Sequence, residues 1–503
     1  MAPRPISNKK SVLAVVKEVS EGTPVRPSLP TDYTALQEGF SLTPQFETLA
    51  NAELRASIGK AKDELGAESP SFQFSHYLKA SGVVAQKPDY GLFIESCLGA
   101  VVVAAAERDT VAGSTISVLN VDAGEGAGFE RGQAVLVQRP GAFQIRNVLS
   151  VNVDALTLAQ NLSGAPASGV LLGRAVLYKT LDENHPTLTV WCFRGNGGAI
   201  EMIAGSRVTE MSLEAAANQY INASFTIGGV SYYFNPIKIG ATNKFLDYTD
   251  DTGAHSVSID EKEYKDPHQL ADAIQVAIDA LSPSDPITVS YSDADGKFTF
   301  AAPAALVFSL NWATGPNAAN TIGGTLGFIT LANDTGALTY TSDNAQSWAA
   351  PQTPNFDDTN ANVAKAIEVI MGDADDVACF GASSASMTIS NTKTDILDLC
   401  EESGKAGSIF SAREVTMEVT ALLQQNDVDR FRRFRAGEKT LFTLNCGVKV
   451  GGQWSKGNCV NAFVPSATIT DFNITDQDGL AILNVTLTAF VEDGLGEVYM
   501  NFI

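Results

Sequence analysis

Four arginines, Arg430, Arg432, Arg433 and Arg435, fall within six residues of the stretch NDVDRFRRFRAGEK (426–439). Such a cluster is the kind of cationic footprint that grips phosphate. The same stretch also reads as a helix. Val428, Phe431 and Phe434 share one face, Asp427 and Asp429 stand in the first turn, and Gly437 suits the position just past the end. The arginines then occupy the later turns, where cations offset the helix dipole. This second reading makes them bridges to acidic neighbours or to an adjacent subunit, with nucleic-acid contact the weaker alternative.

Other residues that could do chemistry are isolated. Gly59-Lys60 and Gly404-Lys405 both fail the GxxxxGK[ST] pattern of a phosphate-binding loop, and GNGG (195–198) satisfies no dinucleotide fingerprint. Asp293-Ala-Asp295-Gly296 lacks the further acidic ligands of a calcium loop and reads as a hairpin turn with Gly296 at positive φ. The six cysteines (Cys97, Cys192, Cys379, Cys400, Cys446, Cys459) form no CxxC pair and read as buried free thiols. His76, His185, His255 and His268 lack ligand spacing. No catalytic, metal or cofactor site is expected, and the chain is not expected to be an enzyme.

The elements around these residues are mostly strands. A length of 503 residues implies several domains, and 45% hydrophobic with 18% charged residues is ordinary for a folded protein. A formal charge of −23 argues against a nucleic-acid grip and is compatible with a surface that nucleic acid touches without sticking. No apolar run reaches the roughly 18–20 residues of a membrane span, so membrane insertion is not expected and a soluble protein assembled in a cytoplasm is. Alternating runs such as Ser71–Leu78 and Leu188–Phe193, separated by Gly, Pro and Asp, have the rhythm of sandwiches and barrels. Five short runs between 110 and 178 suggest a small barrel. Residues 246–301 read as a β-α-β-β unit whose helix starts at N-cap Asp266 with Pro267 behind it. Residues 335–362 are polar and read as a linker.

One pattern organises the chain. Ser41–Leu78 aligns without gaps on Ser386–Leu423 at an offset of 345, with eight identities: Ser41, Thr43, Leu54, Gly59, Lys60, Ala61, Ala67 and Leu78. Later elements keep the same order: LTVWCF (188–193) and VTEMSL (208–213) in one half, LFTLNC (441–446) and ITDFNI (469–474) in the other. The expected architecture is mainly β, with two β-sandwich units in one chain. The first is discontinuous (1–108 and 179–245), with the barrel at 109–178 inserted. The β-α-β-β module and linker fill 246–362, and the second sandwich fills 363–503.

The order EGTPVRPSLPTDYTALQEGFSLTP, ELRASIGKAKDELGAESPSFQFSHYL, KPDYGLFIESCLGA (Pro88 to Gly99 within it) resembles the tail tube proteins of long-tailed, non-contractile bacteriophages of the siphovirus type. The resemblance implies a non-enzymatic virion protein whose sandwiches join into stacked rings, the conduit for double-stranded DNA leaving the capsid. It implies assembly in the host bacterial cytoplasm, with the tape measure, tail terminator and tail tip proteins as partners beside other copies of itself. Two sandwiches per chain would make a six-fold ring from three chains. Gly59, Lys60, Glu64, Gly404 and Lys405 then become candidate inter-ring arm residues, and Arg430, Arg433 and Arg435 candidate subunit contacts. A decoration or adhesion module and a tail sheath protein are the competing readings.

Overall fold

The computed structural model describes residues 6–503 except 54–61, 105, 196–197, 282–286, 304–306, 347–350, 352, 358, 366, 377–378, 425–426 and 493. The fold is mainly β and forms two compact units. One holds Met1–Leu13, Val190–Ile203 and Tyr232–Gln352; the other holds Ala14–Thr189, Ala204–Ser231 and Thr353–Ile503.

Eight strands form one continuous run: β1 (Ser41–Thr43), β2 (Ser71–Tyr77), β3 (Ala199–Ala216), β4 (Asn222–Gly228), β5 (Ala382–Leu397), β6 (Lys405–Leu422), β7 (Gln453–Gln477) and β8 (Leu480–Ala489). They pair side by side, all antiparallel, in the order β1–β2–β4–β3–β5–β6–β8–β7. The run is a four-strand unit written twice.

Register shows this more sharply than sequence does. β1 and β2 pair Ser41↔Gln73, Leu42↔Phe72 and Thr43↔Ser71; β5 and β6 pair Ser386↔Glu418, Met387↔Met417 and Thr388↔Thr416. Adding 345 to the first set gives the second. The hairpin's outer part follows the same offset. Phe46↔Glu68, Thr48↔Leu65 and Leu49↔Glu64 correspond to Asn391↔Arg413, Lys393↔Phe410 and Thr394↔Ile409. Both copies also interrupt their ladder at one β-bulge. It falls between Val208 and Glu210 in β3 and between Ile469 and Asp471 in β7. At each bulge a threonine hydroxyl donates across the strand pair, Thr209 Oγ1 to Thr226 O (3.1 Å) and Thr470 Oγ1 to Thr486 O (3.3 Å). A bulge fixes register because a slip would move every side chain to the opposite face.

Each copy sets a helix between its hairpin and its next long strand: α1 (Gly91–Leu98) in the first, α3 (Val428–Ala436) in the second. α1 was not expected from the sequence. Its residues GLFIESCL show no polar stripe, and seven of the eight are buried. Phe93 lies under the sheet, 4.8 Å from the Phe74 ring.

Between α1 and the next strand, six short strands form a separate sheet (Arg108–Asp109, Leu171–Gly173, Ala134–Arg139, Ala142–Asn152, Ala155–Leu158, Val118–Asn120 in spatial order). Val111 N–H donates to Asn120 O (2.8 Å) and links its two ends. The last of the five runs expected in the barrel, GVLLGRAVLYK (169–179), splits instead. Arg174 turns its guanidinium onto Ala104 O, and Val176–Thr180 joins the long sheet beside Gly99–Val103 and Tyr499–Phe502. Asn147 of the small sheet bonds Asn461 of β7 (2.8 Å), which also bonds Asn445 and Asn501; all four are fully buried. A satisfied polar network of this kind specifies one docking geometry.

The other unit has its own core, including Leu246, Tyr248, Phe298, Phe300, Phe308 and Trp312. α2 (Pro267–Asp279) lies on it through Leu270, Ile274 and Ile278, and Asp266 caps it by accepting from Gln269 N–H (2.8 Å). Gly296 turns the Thr288–Ser292 and Lys297–Ala301 hairpin at φ +72°. The expected linker at 335–362 begins later than its composition implied. Asp334–Ala337 and Thr339–Thr341 are strands completing the unit's two sheets, because β-branched threonines fit a pleated, half-buried surface.

Candidate functional site: a polar sheet face and two open edges

Strand alternation gives the eight-strand run two unlike faces. One is buried and apolar: Ala385, Met387 and Ile389 on β5, Val415, Met417 and Val419 on β6, Met211 and Leu213 on β3, Phe72 and Phe74 on β2. The other is read by following Ser384, Ser386, Thr388 and Ser390 across the sheet. The Ser386 row is Tyr77, Asn222, Glu214, Ser386, Glu418, Thr486, Asp471. The Thr388 row is Ser75, Ser224, Ser212, Thr388, Thr416, Thr488, Thr468, and the Ser390 row adds Gln73, Thr226, Glu210 and Glu414. The ionisable carboxylates along these rows are Glu210, Glu214, Glu414, Glu418 and Asp471, all exposed, and no lysine or arginine joins them. This face offers short hydroxyls, amides and negative charge, a surface that repels phosphate.

The first copy also buries a titratable group on its apolar face. Burial holds the His76 imidazole down to about 4, and its Nε2 lies 3.5 Å from Asp89 Oδ1, whose carboxyl burial pushes up. The second copy has Ala421 at this place.

The run has two edges. Among the described residues, no strand pairs with β1 on the side away from β2, nor with Ile469–Gln477 of β7 on the side away from β8.

The expected contact residues fall in several settings. Gly59 and Lys60 lie outside the described residues. Glu64 is exposed in the outer hairpin, 3.4 Å from Lys62. Gly404 turns the β5–β6 hairpin at φ +76°. Lys405 is buried, not presented outward: Asp395 (2.6 Å) and Ser69 Oγ (2.7 Å) occupy its ammonium. The tip of that hairpin instead exposes Leu397 and Leu399.

α3 forms where expected, with Gly437 at φ +63° past its end. Arg433 bonds Asp429 and Asp373, and its hydrogen bond holds the Asp373 carboxyl below the usual range. Arg430 pairs with Asp427 and lies 4.0 Å from the Phe380 ring centroid. Arg432 bridges Asp429 and Glu438. Arg435 is exposed. Three of the four arginines therefore have acidic partners within the chain. Cys379 and Cys400 are exposed, against the expectation of six buried thiols, because one lies in a loop and the other at the β5–β6 turn. Among the described residues no cluster of three or more His, Cys, Asp or Glu side chains could hold a metal ion, and no helix is long and apolar enough to cross a membrane.

Residues 8–254 match the phage tail tube protein family. The match runs over the whole first copy, the small sheet and the start of the α2 unit, and it supports a structural protein of the virion tail. Among solved structures, a chain from the virion of a native gene transfer agent particle aligns with 25% of this chain and 92% of its own at 12% identity. The TM-score of that alignment is 0.19. No curated protein matches the chain.

The five acidic positions and the two edges escaped the sequence reading, because both depend on long-range strand pairing. The alternation of VTEMSL and ITDFNI was the available signal, since it marks Glu210 and Asp471 as equivalent.

Proposed function

We propose that this chain is a tail tube protein. Copies polymerise into stacked rings, and the polar face of the eight-strand run lines a bore through which DNA leaves the capsid. The observation that carries the reading is the register-matched repetition of a four-strand unit whose polar face bears Glu210, Glu214, Glu414, Glu418 and Asp471 along its central rows, with no lysine or arginine in those rows. Repeated units joined head to tail close into a ring when their rotation permits, and closure removes exposed sheet edges. With two units per chain, three chains give a pseudo-six-fold ring. The exposed Leu397 and Leu399 hairpin tip, with the outer hairpin at Glu64, reaches between rings. The tape measure, terminator and tip proteins complete the tail.

Negative-stain electron microscopy of the purified chain, with mass photometry of the early species, tests this. Hollow tubes growing from a three-chain species are the expected result. Six chains per ring would keep the tube and discard the pseudo-six-fold ring, and a chain that stays monomeric even with tail tips as seeds would end the tube reading.

A further inference from the structure

The two copies meet inside the chain at the β3–β5 pair, with Glu210↔Ser390, Ser212↔Thr388, Leu213↔Met387 and Glu214↔Ser386. β7 repeats β3 at an offset of 261 (Val208 to Ile469, Glu210 to Asp471), and β1 repeats β5 at −345. Applying both offsets to the internal seam gives a second seam that one chain cannot make with itself. We propose that β7 of one copy of the chain pairs with β1 of the next, antiparallel, in the register Asp471↔Gln45, Asn473↔Thr43, Ile474↔Leu42 and Thr475↔Ser41. This deepens the ring reading above and rests on it.

Both strands have the required side unpaired among the described residues. Exposure points to the same seam. Leu213, covered at the internal seam, is 1% exposed, whereas its counterpart Ile474 is 52% exposed. Asn391 is 4% exposed and donates to Cys97 O near the end of α1 (3.0 Å); its counterpart Phe46 is 38% exposed. α1 buries Phe93 and Ile94 completely, while α3 leaves Val428 73% and Phe431 47% exposed. Ile474 and Phe46 stand on the two outer edges of the run, each exposed where its counterpart at the internal seam is covered. Arg435 stands two residues before Gly437, as Cys97 stands two before Gly99, so the seam brings Arg435 toward the next copy's Phe46.

The new register opposes no like charges, since Asp471 meets Gln45. Pro44 takes the place of Ile389, so the outer seam has one backbone donor fewer than the inner one. A proline on an edge strand also discourages indiscriminate pairing.

Disulfide trapping tests the register. In a chain carrying C379S and C400S, the pairs T43C/N473C and S41C/T475C are expected to link chains on mild oxidation of assembled protein, with a closed three-chain species as the largest product. S212C/T388C places the same chemistry at the internal seam and is expected to give an intrachain link. S41C/N473C, slipped by two residues, is expected to link poorly. If tubes form but the slipped pair links best, or N473C alone links to itself, the register is overturned and the tube reading stands. If S212C/T388C forms its bond yet no variant assembles or links between chains, both are overturned.

Discussion

The two copies of the four-strand unit share their backbone and differ in their side chains. Under the first copy's sheet lie Phe72, Phe74 and His76; at the equivalent places in the second lie Met417, Val419 and Ala421. The Phe74 ring stacks on Phe225 (5.2 Å) and tilts against Phe93 (4.8 Å). In the second copy the strand positions equivalent to Phe72 and Phe74 are aliphatic, and the rings meet elsewhere, Phe472 of β7 against Phe431 (5.5 Å) and Phe434 (6.0 Å) of α3. One helix is apolar and buried, the other studded with arginines and half in water. What the copies keep is alternation, register and a threonine-bonded bulge. A hydrogen-bonded ladder fixes which residues face each other, and many apolar combinations of similar volume can fill the space beneath it.

Truncating equivalent core positions should show the largest difference. Phe74→Ala is expected to cost about 3–5 kcal/mol and Val419→Ala about 2 kcal/mol, because the aromatic leaves the larger cavity. Urea denaturation at a concentration where the chain is monomeric measures both. Equal losses would mean that the aromatic cluster packs no more of the core than its aliphatic counterpart.

Much of this comparison was legible in the sequence, and the failures have physical reasons. The 345-residue offset could be found because alternation survives substitution, and α2 because Asp266 and Pro267 mark its start locally. α1 hid because a helix buried all round loses the polar stripe that gives helical period away, and Tyr90 provides no side-chain cap. The strands at 334–341 hid because threonine counts as polar in composition and as a strand former in a sheet. For the candidate site, the helical reading of residues 428–436 was available in the sequence. Lys405 was misplaced because nothing local announces the Asp395 and Ser69 that bury it.

His76 makes the first copy sensitive to acid in a way that Ala421 cannot match. Its folded pKa of about 4 lies below the usual value near 6.5, so the unfolded chain takes up a proton first as pH falls. The stability it confers is full above pH ~6.5, declines between there and pH ~4, and is lost below, by up to about 3 kcal/mol. Asp89, raised by burial, works in the opposite sense from the ordinary carboxylate range upward. Thermal melts across this window should show the slope, and His76→Leu should flatten it. An unchanged slope would place the sensitivity elsewhere.

The smallest effect belongs to the bulges. Thr209→Val and Thr470→Val each remove one hydroxyl-to-carbonyl bond and should cost about 1 kcal/mol. Differential scanning calorimetry should find the two losses equal within about 0.5 kcal/mol. A clear inequality would show that the two bulges share geometry without sharing energetics.

The β3–β5 seam has a kinetic meaning as well. Because both strands belong to one chain, this contact forms during folding and does not depend on protein concentration. A ring built from such chains makes every second seam before any two molecules meet. Each encounter avoided spares about 4–15 kcal/mol of lost translational and rotational freedom. The tandem chain is therefore expected to begin assembling at a lower concentration than two separate single-unit chains with the same edges, because one of every two unions is already intramolecular.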